Sequence, residues 1–132
     1  TSGMDFNRIT PKGTVEVFRS LITWLDDHGM KPEDILPVAG VDAGTLQRRF
    51  TGTDFRGGIV AKTGTLPGTD GGVSTLAGLA YTRSNGPVLF AIFNTRGSVN
   101  TYRRLQDTLV KDLVSELGGV ANPSESSRKL NN

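Results

Sequence analysis

The chain contains no cysteine, and only one histidine and one tryptophan among its 132 residues. Disulfides and thiolate metal sites are therefore excluded, and His28 alone cannot build a metal site. Long apolar runs are missing as well, since no segment reaches the roughly 18–20 apolar residues that cross a bilayer. The net charge is only +2, so we expect no basic face for nucleic acid.

The length corresponds to about one domain. Residues 1–5 show neither an initiator methionine nor the charged-then-apolar layout of a signal peptide. We therefore expect the chain to be a piece of a longer one, cut inside its sequence.

Two helices are predicted at the ends of the chain. Thr10 and Pro11 form a helix start, and apolar residues at steps of three and four predict an amphipathic helix over residues 11–28. A second helix is predicted over residues 99–117, ended by two glycines. Its expected buried face comprises Tyr102, Leu105, Leu109, Leu113 and Leu117, widened by Val110 and Val114.

Three strands are predicted between these helices, over residues 58–66, 73–82 and 87–95. The Asn-Gly pair within residues 83–86 predicts a hairpin. The last two strands are apolar enough to be covered on both faces. The fold class is therefore α+β, with an antiparallel sheet of at least three strands flanked by helices.

The remaining segments are irregular. Residues 30–58 are rich in glycine, proline and aspartate, with a short helix expected at residues 46–50 after Thr45. Residues 120–132 are polar and predicted to be a disordered tail. A strand edge is left exposed by this arrangement, which favours self-association.

The segment Lys62-Thr63-Gly64-Thr65 closes the first strand and carries the most informative chemistry. The Lys62 ammonium can hold a carboxylate and polarise neighbouring hydroxyls. Thr63 and Thr65 share one face of the strand, so both hydroxyls could bind the same carboxylate. Gly64 lets a peptide backbone lie against the strand, and the Thr65 N–H could stabilise an oxyanion.

Other candidate groups are interpreted as structural. His28 lies at a helix end, and residues 57–63 lack the spacing of a phosphate-binding loop. The acidic pairs at residues 26–27 and 33–34 suit turns and helix ends. The arginine pairs at residues 48–49 and 103–104 are expected on solvated faces.

The order of several short segments resembles the class C low-molecular-mass penicillin-binding proteins, D-alanyl-D-alanine carboxypeptidases with a β-lactamase-like catalytic domain. The first segments lie at residues 2–4 and 7–11, followed by residues 36–40. Gly44-Thr45-Leu46 with Arg49-Phe50, the Lys-Thr-Gly strand at residues 61–66, and residues 74–78 complete the match.

The resemblance implies an extracytoplasmic serine peptidase that acts on peptidoglycan peptides, binds β-lactams and needs no cofactor. Lys62 and Thr65 match catalytic positions of the family, and Thr63, Gly64 and Thr65 match substrate-binding ones. Residues 1–119 would be the C-terminal portion of its transpeptidase-like domain.

The nucleophile and the proton relay of that family, Ser-x-x-Lys and Ser-x-Asn, should precede Lys-Thr-Gly. Residues 126–129 and 98–100 fit these motifs by letter, but both follow it, and Ser98 fits a helix cap. We therefore expect the chain to supply one wall of the cleft, to need the N-terminal part of the same protein, and to be inactive alone. The alternative is a non-catalytic half-domain that binds a peptide or a partner.

Overall fold

The computed structural model describes residues 8–121. Its elements follow the predicted order of helix, irregular stretch, three strands and helix. They are α1 (Pro11–Asp27), a 3₁₀ turn (Pro32–Asp34), β1 (Ile59–Leu66), β2 (Val73–Thr82), β3 (Gly86–Thr95) and α2 (Val99–Glu116). None of the helices in this part of the chain is long and apolar enough to cross a membrane.

Residues next to each end of helix α1 determine where the helix begins and ends. The Thr10 hydroxyl accepts a hydrogen bond from the Gly13 N–H at 3.0 Å, and Pro11 occupies the first helical position. At the other end, the chain reverses through Gly29, whose φ of +66° suits glycine. The predicted helix boundaries are confirmed to within one residue.

The sheet is antiparallel in the order β1-β2-β3. The hairpin between β2 and β3 places Thr82 opposite Gly86 and leaves three loop residues, Arg83 to Asn85. Gly86 has a φ of +68°. This left-handed conformation explains the glycine in the predicted Asn-Gly turn.

Each face of the sheet is covered by a different helix, as predicted. On one face, Val110 and Val114 of α2 pack in a cluster with Ile59, Leu76 and Phe90. On the other face, Ile22 of α1 packs against a second cluster. That cluster contains Val60, Leu79, Tyr81 and Ala121. The β1 side chains therefore alternate between the α2 side and the α1 side of the sheet.

The predicted short helix at residues 46–50 is wrong. The chain forms tight turns there, with the Arg49 N–H donating to the Leu46 carbonyl. Phe50 adopts a φ of +55°. The side chains of Leu46 and Phe50 are both buried in the core, so burial of two large apolar groups favours these turns over a helical continuation.

The predicted buried face of α2 is confirmed at Val110 and Val114 but is wrong at the three leucines Leu105, Leu109 and Leu113. Leu105, Leu109 and Leu113 are 44%, 46% and 37% exposed, whereas Gln106, Val110 and Val114 are buried. The helix lies with Gln106, Val110 and Val114 against the sheet, and Gln106 finds hydrogen-bond partners there. The leucine stripe consequently faces away from the sheet.

Residues 120 and 121, which the sequence assigned to the tail, pair with the end of β2. Val120 forms an isolated bridge with Thr82, and the Ala121 N–H donates to the Tyr81 carbonyl. The domain boundary between residues 119 and 120 stays a prediction. The remainder of the predicted tail, residues 122–132, lies outside the described residues.

Candidate functional site

Strand β1 has two halves with different surroundings at its outer edge. In the first half, the Ile59 carbonyl accepts from the Ala39 N–H at 2.8 Å, and the Ala61 N–H donates to the Pro37 carbonyl at 3.1 Å. The segment around Val38 therefore acts as a short fourth strand. Beyond Ala61, no backbone N–H group within residues 8–121 bonds to this edge.

The alternation of hydrogen bonds determines which backbone groups line the open half. Antiparallel strands direct the backbone groups of successive residues to opposite edges. Because the backbone groups of Ile59 and Ala61 point away from β2, those of Thr63 and Thr65 point away from it as well. The amide N–H groups of both threonines therefore point outward along the open edge, where an extended peptide could pair with them.

Lys62 lies at the start of this open edge and is exposed. Its side chain leaves the α1 side of the sheet, opposite to the side chains of Thr63 and Thr65. The ammonium nevertheless curls back to the edge, where Nζ donates to the Thr63 carbonyl at 2.8 Å. A cation thus sits beside the backbone groups that a ligand would meet.

The Thr63 and Thr65 side chains share the α2 side of the sheet, as predicted, and each has a polar neighbour. The hydroxyl oxygens of Thr63 and Thr45 are 2.6 Å apart. Arg103 Nη2 donates to Thr65 Oγ1 at 3.3 Å. The two hydroxyls are therefore held in place before any ligand binds.

Packing within the sheet explains the glycine at position 64, in addition to the predicted approach of a peptide backbone. A Cβ at this position would collide with the Thr75 hydroxyl of the neighbouring strand. That hydroxyl donates to the Gly64 carbonyl at 3.4 Å. The missing side chain therefore permits a close cross-strand contact directly behind the open edge.

A buried polar network anchors α2 behind these threonines. Arg49, 8% exposed, forms an ion pair with Asp107 at 2.6 Å and donates to the Gln106 side chain at 3.2 Å. Gln106 in turn donates to the Ser74 carbonyl and to the Asn94 side chain. All three groups therefore have hydrogen-bond partners, as buried polar groups require.

The prediction that Arg49 and Arg103 lie on solvated faces is wrong. Arg49 is buried because Asp107 and Gln106 neutralise and bond its guanidinium, and Arg103 is half-buried against Thr65. One signal for this arrangement was present in the sequence. Polar residues at positions 103, 106 and 107 follow helical spacing beside the leucine stripe.

The candidate groups interpreted as structural lie apart from this edge. His28 Nδ1 is 2.7 Å from the Trp24 carbonyl, and its ring stacks on the Trp24 ring. Asp34 accepts from the Lys31 N–H, and Ser98 caps α2 by accepting from the Thr101 N–H. Residues 126–129 lie outside the described residues.

Tyr81 and Glu33 form a separate polar pair on the α1 side of the sheet. The Tyr81 hydroxyl donates to a Glu33 carboxylate oxygen at 2.7 Å. Burial, followed by the hydrogen bond to Glu33 and the negative charges of Glu33 and Asp26, raises the pKa of Tyr81 well above its usual value. This phenol therefore stays protonated, and its hydrogen bond to Glu33 stabilises the fold.

Fold and site together define an antiparallel sheet, covered by one helix on each face, with Lys-Thr-Gly along its open edge. The profile of the D-Ala-D-Ala carboxypeptidase 3 (S13) family matches residues 2–113. The chain belongs to this family. The predicted relationship to the D-Ala-D-Ala carboxypeptidases is therefore confirmed at the level of the family.

Similar proteins agree with this assignment. The chain is 34% identical over 103 residues to "Penicillin-sensitive carboxypeptidase A" of Dictyostelium discoideum. The aligned region covers 76% of this chain and 20% of that protein. The Bd0816 predatory endopeptidase of Bdellovibrio bacteriovorus, solved in complex with immunity protein Bd3460, covers 92% of this chain with a TM-score of 0.75 and 25% identity.

A penicillin G-acylated structure of the Bd3459 endopeptidase, from the same organism, has the same fold, with a TM-score of 0.74 and 23% identity over 92% of this chain. The chain spans only a fifth of the Dictyostelium protein, 31% of the Bd0816 chain and 33% of the Bd3459 chain.

Proposed function

We propose that this chain is the Lys-Thr-Gly wall of a serine-type D-Ala-D-Ala carboxypeptidase or endopeptidase that acts on peptidoglycan peptides through an acyl-enzyme. In this proposal, residues 1–119 belong to the C-terminal portion of the transpeptidase domain. The nucleophilic serine comes from another segment of the same protein. The chain by itself is expected to be inactive.

The open second half of β1 is the observation that carries this proposal. It offers outward N–H groups at Thr63 and Thr65 beside the Lys62 ammonium. A peptide laid along the edge would extend the sheet by one strand. The Thr65 N–H would then serve as one donor to the developing oxyanion of the scissile carbonyl.

Recognition of the peptide's C-terminal carboxylate is assigned to the hydroxyls of Thr63 and Thr65, with Lys62 supplying positive charge. A hydroxyl donates well to a carboxylate, and a hydrogen bond to a charged group is stronger than one between neutral groups. In this proposal the Lys62 ammonium also acts on the attacking serine and its relay, which another segment of the same protein would bring to this edge.

The family and its penicillin-sensitive relative support this activity, and the proposed location is outside the cytoplasm, where peptidoglycan lies. The alternative is a non-catalytic half-domain that binds a peptide or a partner along the same edge. The open edge alone supports that alternative, because an unpaired strand also promotes self-association.

A labelled penicillin tests the proposal. The complete protein should be labelled covalently in a 1:1 ratio, whereas residues 1–132 expressed alone should remain unlabelled. Prior incubation with unlabelled penicillin is the control for site-specific reaction. Stoichiometric labelling of residues 1–132 alone would contradict the assignment of the nucleophile to another segment.

Labelling also separates the two candidate functions. A complete protein that is not labelled, yet binds a D-Ala-D-Ala peptide reversibly, would favour the binding module. A labelled protein that releases D-alanine from the peptide would favour the peptidase.

A further inference from the structure

Arg103 is a second cation at the Lys-Thr-Gly edge, on the face opposite to Lys62. It lies in the second turn of α2, half-buried, and its Nη2 donates to Thr65 Oγ1 at 3.3 Å. Helix α2 therefore reaches the open edge through one side chain.

The turn of α2 that carries Arg103 is fixed from behind. Arg49 Nη2 donates to the Arg103 carbonyl at 3.2 Å, and Arg49 Nε donates to Asp107 at 2.8 Å. Gln106, on the same turn, donates to the Ser74 carbonyl at 3.1 Å. The turn that carries Arg103 is thus attached to Arg49 and, through Gln106, to β2, which keeps the Arg103 side chain within reach of Thr65.

The contact determines how the Thr65 hydroxyl can act. A guanidinium has donors and no acceptor, so Thr65 Oγ1 must accept this bond. The single hydroxyl proton is then left to donate elsewhere. Within residues 8–121, the Thr65 hydroxyl has no second hydrogen-bond partner, so its proton is available to an incoming acceptor such as a carboxylate.

We infer that Arg103 is a positioning residue, which orients Thr65 as a donor toward the free C-terminal carboxylate of the peptide and thereby sets the preference for an acidic over an uncharged end. This inference rests on the proposed function. It adds a residue of α2 to a site that the sequence motif confines to β1.

The test compares two peptides that end in D-Ala-D-Ala, one with a free carboxylate and one with a carboxamide. The complete protein is assayed for kcat/KM on each, and the ratio of the two values is the readout. Arg103→Gln should lower the ratio about tenfold or more, since a hydrogen bond to a charged group is worth roughly 1.5–3 kcal/mol. Arg103→Lys should give an intermediate ratio, because it keeps the charge and loses the planar fork.

Arg104→Gln is the matched control. It removes the same charge from the neighbouring, exposed position of α2 and should leave the ratio unchanged. An equal drop in Arg104→Gln would show a long-range charge effect and overturn the inference. Thermal unfolding of each variant confirms that the folded proteins are compared.

A second variant keeps the inference falsifiable if Arg103→Gln does not fold. Thr65→Val removes the hydroxyl through which Arg103 acts, so adding Arg103→Lys to Thr65→Val should not change the ratio further. An additional drop would overturn the inference.

An active wild-type protein whose ratio is unaffected by Arg103→Gln overturns this inference alone. A wild-type protein that neither processes the peptides nor reacts with penicillin overturns the proposed function, and the role of Arg103 with it.

Discussion

The two halves of β1 differ in almost every physical respect although one strand contains both. Ile59, Val60 and Ala61 are buried, and their strand has a neighbour at each edge. Lys62 and the residues after it are partly or fully exposed, and their outer edge is open. The first half holds the sheet together, and the second half is available to a ligand.

This difference indicates that the candidate site depends on a strand whose outer edge has a neighbour up to Ala61 and, in the part of the chain that the structure describes, none after it. The contacts of Ala61 with Pro37 end the fourth-strand pairing directly before Lys62. The polar groups that follow are therefore presented with the geometry of a sheet, which is more rigid than that of a loop. Substitutions in the two halves should accordingly affect different properties.

The largest effect is expected from Lys62→Ala in the open half. In the complete protein, this change should slow acylation by penicillin about 10²–10⁴-fold, which is the usual contribution of a group that assists proton transfer. Stability should hardly change, because Lys62 is exposed. The measurement is the second-order rate constant of acylation together with a urea unfolding curve.

Lys12→Ala is the control for Lys62→Ala, because Lys12 is another exposed lysine, on α1 and away from the edge. It should react at the wild-type rate. A near-normal rate in Lys62→Ala would remove this ammonium from the mechanism and weaken the contrast between the two halves.

Ile59→Ala tests the buried half of the same strand. Ile59 is fully buried in the cluster that α2 covers, so the truncation should lower the free energy of unfolding by about 3 kcal/mol. The rate of acylation per folded molecule should stay near the wild-type value. Urea unfolding and penicillin titration measure the two quantities separately.

Leu66→Ala provides the comparison at the other end of the strand. Leu66 is only partly buried, and the loss there should be about 1 kcal/mol. Equal losses at Ile59 and Leu66 would mean that the two halves contribute alike to stability, contrary to the burial pattern.

The strands and helices were predictable because their signals are local. Apolar runs, the Thr10 cap and the Asn-Gly turn each act within a few residues, and the structure confirms them. The position of Lys62 at the end of an apolar run likewise indicated a strand carrying the motif. That the edge beside Lys62 is open could be seen only in the structure, where the pairing of Ala61 with Pro37 is the last one on this edge among the described residues.

The polar spacing of positions 103, 106 and 107 was visible in the sequence, but the partners of these residues were not predictable because they are distant along the chain. Arg49 meets Gln106 and Asp107, 57 and 58 residues further along the chain. The leucine spacing correctly predicted that α2 is a helix, but not which face is buried. Gln106, Val110 and Val114 lie against the sheet together, and no local pattern contains the hydrogen-bond partners of Gln106.

The smallest effect concerns Tyr81, which supports the covered part of the sheet from the α1 side. Tyr81→Phe removes the hydrogen bond to Glu33 and should cost about 1 kcal/mol of stability near pH 8. Because the pKa of Tyr81 is raised in the fold, the unfolded state loses its phenol proton near pH 10 while the folded state keeps it.

Wild-type stability should therefore fall as the pH rises above about 10, by as much as ~1.4 kcal/mol per pH unit from this group. The gap between wild type and Tyr81→Phe should shrink between pH 8 and pH 11, as measured by urea unfolding of the complete protein. Glu33→Gln removes the negative charge and should reduce the alkaline loss, whereas Glu16→Gln, at an exposed position on α1, should not. A constant gap across this pH range would show that burial and the contact with Glu33 do not raise the pKa of Tyr81 in the folded state.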